Sequence, residues 1–357
     1  MGNILYIGDN PNKTANGGDW VNQRNILALK EIYSENFYIY PVKCKNSIMT
    51  FLNLTRNYML GLSPTIVKDI IRYIDINNIQ SVFLATSKFG KLAQYLKQRF
   101  PNIKIYIFFH NIEKQYTAEE FRVAPSLKNW LIYQVTKYNE KRACKFGDKL
   151  IVLNERDNSL LNQIYGLKAD LQLPTTFIDK YNPNLKQITS KPAEQFTLLF
   201  IGFAFFANIE GIKWFIENVL PDLRNCKLQI VGNGMDKIFT SNKNIEVHGY
   251  VEDLATFYYN TDAVILPIFS GGGMKTKTAE ALMYGCPIIG TKEAFEGYEL
   301  DCSRIGGVAN TKEDMISHIC HLQQDNNFLT DARLYARSIF INKYNFQTTI
   351  QCLKDNL

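Results

Sequence analysis

The sequence predicts an α/β protein built from two similar domains, and three observations carry that prediction. Short apolar runs rich in Ile, Val, Leu and Phe alternate with longer segments of helical period, the pattern of parallel strands joined by crossover helices. The alternation starts afresh in the second half of the chain. The length, 357 residues, exceeds the roughly 100 to 200 residues of one typical domain.

In order along the first half, strands fall at residues 3–7, 37–41, 81–85, 104–109 and 149–153, with helices over 19–32, 64–77, 87–99 and 127–146. The second half gives strands at 197–201, 227–231, 245–248, 263–267 and 287–290, with helices over 208–219, 251–259, 274–284 and 311–324. Between the halves, Leu173-Pro174-Thr175-Thr176 and residues 181–195, with Pro183 and Pro192 among Asn, Lys, Gln, Ser and Thr, form an exposed connection with little to bury. The expected domains are therefore 1–180 and 190–333, facing each other across a cleft, with a last helix over 334–357. In open α/β sheets ligands bind beyond the carboxyl ends of the strands, so the residues just after each strand are where chemistry is sought.

Composition excludes several classes. With 46% hydrophobic, 13% aromatic and 21% charged residues, the chain is neither disordered, collagen-like nor a coiled coil. A net charge of +6 falls short of a dedicated nucleic-acid binder. It suits anionic small ligands or a weak pull toward an anionic membrane face, and equally an ordinary surface with a slight lysine excess. The seven cysteines are scattered without metal-ligand spacing, which points to a reduced, cytoplasmic chain without structural zinc. The N-terminus enters a strand directly, without the charged and apolar regions of a signal peptide. No apolar run approaches the ~18 residues of a membrane span, so any membrane contact is expected to be peripheral.

The most informative segment follows the strand at 263–267: Ser270-Gly271-Gly272-Gly273-Met274-Lys275-Thr276-Lys277-Thr278-Ala279-Glu280. A strand runs through three glycines into a helix, presenting backbone N–H groups together with a positive helix end, a geometry suited to phosphate. Lys275 and Lys277 add charge there. Lys277 and Glu280 share a helical face. The lysine would neutralise a diphosphate while the glutamate accepts hydrogen bonds from ribose hydroxyls. The other reading is a flexible glycine turn beside a solvated Lys–Glu pair. The segment is not a phosphate loop of the G-x-x-x-x-G-K-[ST] kind.

Gly271-Gly-Gly273-Met-Lys275-Thr-Lys277-Thr-Ala-Glu280-Ala-Leu-Met-Tyr-Gly285-Cys-Pro287-Ile-Ile-Gly-Thr291, followed by Glu296-Gly297, resembles the nucleotide-sugar motif of glycosyltransferase family 4 and related retaining enzymes of the GT-B fold. Phe200-Ile-Gly202 through Asn208-Ile-Glu-Gly211 to Trp214-Phe215, and Val247-His248-Gly249-Tyr250-Val251, match in the expected order. The resemblance implies two Rossmann-like domains with a C-terminal helix crossing back to the first. It implies that Lys277 and Lys275 hold the donor diphosphate, Glu280 the ribose, and the loop Gly271, Gly272, Gly273, Met274 and Thr276 the phosphates. Gly202 and Asn208 would approach the phosphates, and the backbone of Tyr250 and Val251 would face the base. Many members carry a further glutamate eight positions before the equivalent of Glu280; here that position is Gly272, a loss shared by a subset with the lysine-bearing loop.

In the first half His110 follows the strand at 104–109, where a cleft-facing residue belongs. Alone it is better explained as a satisfied structural histidine. The resemblance implies instead a histidine close to the donor sugar and diphosphate. Gly17-Gly18-Asp19 makes a turn with Asp19 as helix cap, and similar enzymes use such a glycine pair near donor phosphate and acceptor. Gly232, in Val231-Gly232-Asn233-Gly234, lines the nucleotide side or is a plain turn. Residues 47–62, with Ile48, Met49, Phe51, Leu52, Leu54, Tyr58, Met59, Leu60 and Leu62, are more apolar than a connection requires. They are either core or an apolar lip for a lipid-linked acceptor, aided by Lys43, Lys45 and Arg56.

The expectation is a retaining hexosyltransferase of cell-surface polysaccharide synthesis, moving a sugar from a nucleoside diphosphate to a hydroxyl of a glycan or lipid-linked glycan. By the resemblance no cofactor is required and the reaction is metal-independent; no D-x-D motif stands in a suitable place. The expected location is cytoplasmic, at or near the inner membrane face, without nucleic-acid partners. A nucleotide-sugar epimerase on the same fold and a non-catalytic binding subunit stay open.

Overall fold

The computed structural model describes residues 2–9, 17–43, 48–185, 195–271 and 273–357, with Ile48 and Met49 as backbone alone. The chain divides into two compact units: unit 1 is Met1–Pro174 with Thr349–Leu357, and unit 2 is Thr175–Thr348.

Unit 1 contains β1 (Asn3–Gly8), β2 (Phe37–Pro41), β3 (Ile79–Leu84), β4 (Lys104–Phe109), β5 (Lys149–Val152) and β6 (Leu171–Gln172). They form one parallel sheet in the order β2-β1-β3-β4-β5-β6. Residues 4–7, 82–84 and 105–109 are at most 6% exposed, because helices cover both faces; this is why these strands read as continuous apolar runs rather than as alternation. Register aligns Ile7, Leu84, Ile107 and Leu150 across four strands, and all four belong to one core cluster. The helix Pro64–Ile76 starts at the Ser63 cap, whose hydroxyl accepts from Ile66 N at 3.2 Å, and buries Val67, Ile70 and Ile74 on one face. Three helices absent from the sequence expectation are present: Ile48–Thr55, Glu113–Val123 and Glu155–Tyr165.

Unit 2 contains β7 (Phe196–Ile201), β8 (Cys226–Val231), β9 (Ile245–His248), β10 (Ala263–Leu266), β11 (Ile288–Gly290) and β12 (Gly306–Val308). Its parallel sheet has the order β12-β11-β10-β7-β8-β9. The chain runs outward from β7 to β9, returns to pair β10 against the other side of β7, and runs outward again. The point where the order reverses, and where open sheets of this kind bind ligands, therefore lies between β7 and β10 at their carboxyl ends. Ala263, Leu198, Leu228 and Ile245 align across four strands within a single core cluster.

One glycine fixes the geometry at that point. Gly211, inside the helix Phe206–Asn218, packs on the end of β10 so closely that a Cβ would stand 1.8 Å from Pro267 O. Replacing a helical glycine by alanine ordinarily gains up to about 1 kcal/mol. Here the clash is with backbone, so Gly211→Ala is expected to cost about 1–3 kcal/mol instead. Urea unfolding checks the sign; an unchanged or raised midpoint sinks the packing argument.

The helix expected over 334–357 is divided. Asn326–Ile339 is followed by a π turn at Phe340–Tyr344, and the chain resumes as Phe346–Asn356. Asn345 is extended because Phe177 N donates to Tyr344 O at 3.0 Å and Phe346 N to Phe177 O at 2.8 Å, a parallel bridge that interrupts the helix. Thr349–Leu357 then belong to unit 1, where the Tyr106 hydroxyl donates to Leu357 O at 3.1 Å. No helix among the described residues is long and apolar enough to cross a membrane.

Candidate functional site

In unit 2 the carboxyl ends of β7 and β8 meet through glycines. Gly202 N donates to Val231 O at 2.9 Å, and a Cβ on Gly232 would stand 2.0 Å from Gly202 O. Only glycine allows these loops to touch. Asn208, in the first turn of Phe206–Asn218 and buried, donates from Nδ2 to Phe203 O at 2.9 Å, which turns its Oδ1 toward the sheet end. That oxygen accepts from Lys277 Nζ at 2.6 Å. The same ammonium lies 4.7 Å from the centre of the Phe200 ring, and a Cβ on Gly202 would stand 3.1 Å from it. Gly202, Asn208 and Lys277, from three separate stretches of sequence, thus converge where the strand order reverses.

Lys277 has a neutral amide and an aromatic face but, among the described residues, no carboxylate partner. Burial, followed by the repulsion of Lys275, brings its ammonium from an ordinary 10.5 down to about 7. The unfolded chain holds this proton up to about pH 10.5 and the folded chain only to about 7. Folding is therefore penalised below pH 7, and the penalty is relieved as pH rises from about 7 to 10.5. An anion beside Nζ would remove it.

Lys275 is placed differently. Its Nζ binds Glu293 Oε1 at 2.6 Å and donates to Gly273 O at 3.0 Å, so its charge is already matched inside unit 2. Gly271 and Gly273 take φ of 136° and 62°, a backbone that side chains oppose. Gly272 lies outside the described residues. Met274 is buried, its sulfur accepting from Thr175 N at 3.4 Å, and Thr276 opens the helix Thr276–Met283. The positive end of that two-turn helix lies at the loop, although Thr278 N already donates to Lys275 O at 3.0 Å and Ala279 N to the Tyr298 hydroxyl at 3.2 Å.

Glu280 does not pair with Lys277 among the described residues, so the solvated Lys–Glu pair is absent. Its Oε2 accepts from the Tyr258 hydroxyl at 2.9 Å, and burial holds its carboxyl above the ordinary range against the pull of that bond. Tyr250 is 76% exposed and Val251 half-buried, both just past β9.

In unit 1, His110 follows β4 and its Nε2 lies 2.9 Å from Asn22 Oδ1. Asn22 sits on the helix Gly17–Tyr33; Gly17 and Gly18 are its first residues rather than a turn before it, and Asp19 lies in its first turn rather than at the cap expected of it, so the start of this helix and the histidine are joined through Asn22. The ring also meets Phe108 edge-on at 5.0 Å. Burial, then the positive charges of Lys88 and Arg24, lower the imidazole to about 4. His110 is therefore neutral at physiological pH, a hydrogen-bonding group rather than an acid.

Sequence reading missed Asn22, Tyr258 and Glu293. Nothing local marks them, since each is defined by a partner from a distant stretch. Among the described residues no cluster of three or more His, Cys, Asp or Glu stands ready for a metal ion.

Residues 195–325 match the family of glycosyl transferases group 1. The match spans all six strands of unit 2, including Gly202, Asn208, Lys277 and Glu280. No curated protein sequence matches the chain. Among solved structures, sucrose-phosphate synthase from Thermosynechococcus elongatus is similar at TM-score 0.73 and 14% identity, covering 99% of this chain and 98% of that one. HepE of Anabaena, in complex with UDP and glucose, is similar at TM-score 0.68 and 13% identity, covering 99% of each chain. The lipopolysaccharide outer core galactosyltransferase WaaB is similar at TM-score 0.64 and 11% identity, covering 99% of this chain and 100% of that one. The fold is therefore GT-B, with two Rossmann-like units.

Proposed function

We propose that this protein is a glycosyltransferase that moves a hexose from a nucleoside-diphosphate sugar to a hydroxyl of a glycan or lipid-linked glycan, with retention of configuration, in cell-surface polysaccharide synthesis. The observation that carries the reading is the convergence of Lys277, Asn208 and Gly202 at the strand-order reversal of a unit that matches glycosyl transferases group 1. A diphosphate there gives Lys277 the anionic partner that it lacks among the described residues. Preorganised positive charge at the leaving group is the main lever on such a reaction. Glu280 takes the ribose hydroxyls, with Tyr258 fixing its carboxylate. His110 serves as a neutral donor to the sugar or the departing diphosphate by turning to them the single N–H that Asn22 Oδ1 otherwise accepts. Tyr250 and Val251 face the base, and the glycine loop with Met274 and Thr276 borders the phosphates. Lys275 acts through its pair with Glu293, shaping the loop. No cofactor or metal is needed to neutralise the diphosphate in this scheme. The UDP in the HepE structure makes UDP-sugars the first donors to test.

Binding of UDP should take up a proton. Bound diphosphate restores the Lys277 ammonium, so affinity should weaken as pH rises above about 7, by up to about tenfold per unit. The terminal phosphate of UDP ionises near pH 6, so titrations between about pH 7 and 9 isolate the lysine. Calorimetry at pH 8 in buffers of different ionisation enthalpy measures the uptake. An affinity that does not change across that range would remove Lys277 from the phosphate site.

A further inference from the structure

Unit 1 holds a second feature that the transfer site does not use. A cavity of about 730 Å³ opens between the helix Ile48–Thr55, the loop after it, the end of β2 and the helix Leu127–Phe146. Its wall is apolar, with Val42, Leu54, Tyr58, Leu62, Ile66 and Ile132. This is ligand-sized, within the range of about 300–1,000 Å³ typical of small-molecule sites. The segment expected to be core or a surface lip is thus both: Tyr58, Met59 and Leu62 are buried, while Phe51 and Leu60 are 51% and 40% exposed and line the same cavity. Leu60 is held there at φ 51°, a conformation that a side chain opposes.

The charges select the occupant. Lys43, at the end of β2, and Lys128, in the first turn of Leu127–Phe146, both line the cavity, are exposed, and form no ion pair among the described residues. Lys128 is remote in sequence and was not anticipated; Lys45 lies outside the described residues. Lys91, by contrast, is already engaged, donating to Arg56 O at 2.6 Å and lying 3.9 Å from the centre of the Tyr58 ring. An apolar chamber with two unpaired ammonium groups fits a ligand that is apolar along its length and anionic at one end.

We propose that this cavity binds the apolar chain of an acyl or prenyl phosphate, with Lys43 and Lys128 meeting its phosphate. Binding itself is independent of the transferase reading. That the ligand is the carrier of the glycan acceptor rests on that reading, so the test uses neither donor nor turnover.

Titration with dodecyl phosphate, kept below its critical micelle concentration, should show saturable binding, whereas inorganic phosphate alone should not bind. The Lys43→Glu/Lys128→Glu protein, altered only at exposed positions, should bind dodecyl phosphate about tenfold or more weakly and dodecanol as wild type does. Leu54→Trp, which fills the chamber, should lose both ligands. Absence of saturable binding to wild type overturns the proposal, as does unchanged dodecyl phosphate affinity in the charge-reversed protein. Co-sedimentation with phosphatidylglycerol vesicles without monomer binding also overturns it, in favour of surface adsorption.

Discussion

Lys277→Ala should lower kcat/KM for the donor by about 10²-fold or more, as when a charge contact to the leaving group is lost. The substitution removes the cation that Asn208 Oδ1 and the Phe200 ring hold at the end of β7. It should leave the fold intact, because a desolvated ammonium with no carboxylate partner among the described residues is a burden on the folded state below pH 7 rather than a support. The paired readout is therefore steady-state kinetics with a melting curve at pH 7: activity collapses while the melting temperature holds or rises. Wild-type kinetics in a folded variant would remove Lys277 from the reaction. The matched pair Lys275–Glu293 provides the contrast, since breaking it strands a partly buried charge and should reduce stability as well as activity.

Glu280→Ala should cost a similar ~10²-fold in kcat/KM, for a different reason. The carboxylate is proposed to hold ribose, far from the bond that breaks, so the loss should fall on KM more than on kcat. The substitution also leaves the buried Tyr258 hydroxyl without its acceptor, at about 1–3 kcal/mol of stability. Glu280→Gln separates the two effects, because its amide oxygen still accepts from Tyr258. Stability should return to near wild type while donor KM stays raised. Full recovery of KM in Glu280→Gln would mean that charge at this position is irrelevant, and unchanged kinetics in Glu280→Ala would remove it from the ribose site.

The strands were legible because burial on both faces leaves no freedom of composition: residues 104–109 are apolar after Lys104 whatever else the protein does. The helix Glu155–Tyr165 was missed although its signals are local, with Asn154 accepting from Asp157 N at 2.9 Å and Gly166 left-handed at φ 69° beyond its end. The helix Glu113–Val123 had no comparable signal. Its first N–H groups are satisfied by Glu140, which accepts from Glu113 N at 2.7 Å and Lys114 N at 3.1 Å from another helix. The site divides in the same way. Lys277 and Glu280 follow a strand–glycine–helix junction whose spacing can be read directly, whereas Gly202 and Asn208 are marked only by the resemblance of their segment. The partners that decide what each side chain can do, Asn22 for His110, Tyr258 for Glu280 and Glu293 for Lys275, arrive by tertiary packing and leave no local trace.

The titration of Lys277 itself bears most directly on the proposed site. In protein labelled with 13C at lysine Cε, the Lys277 resonance, assigned by its loss in Lys277→Arg, is followed against pH with and without UDP. The free protein should show an apparent pKa of about 7, displaced upward by more than about two units when UDP is saturating, because a diphosphate beside the ammonium favours its charged form. An ordinary value of 10.5 in the free protein, or a low value that saturating UDP leaves unmoved, would show that the lysine is not the diphosphate's partner.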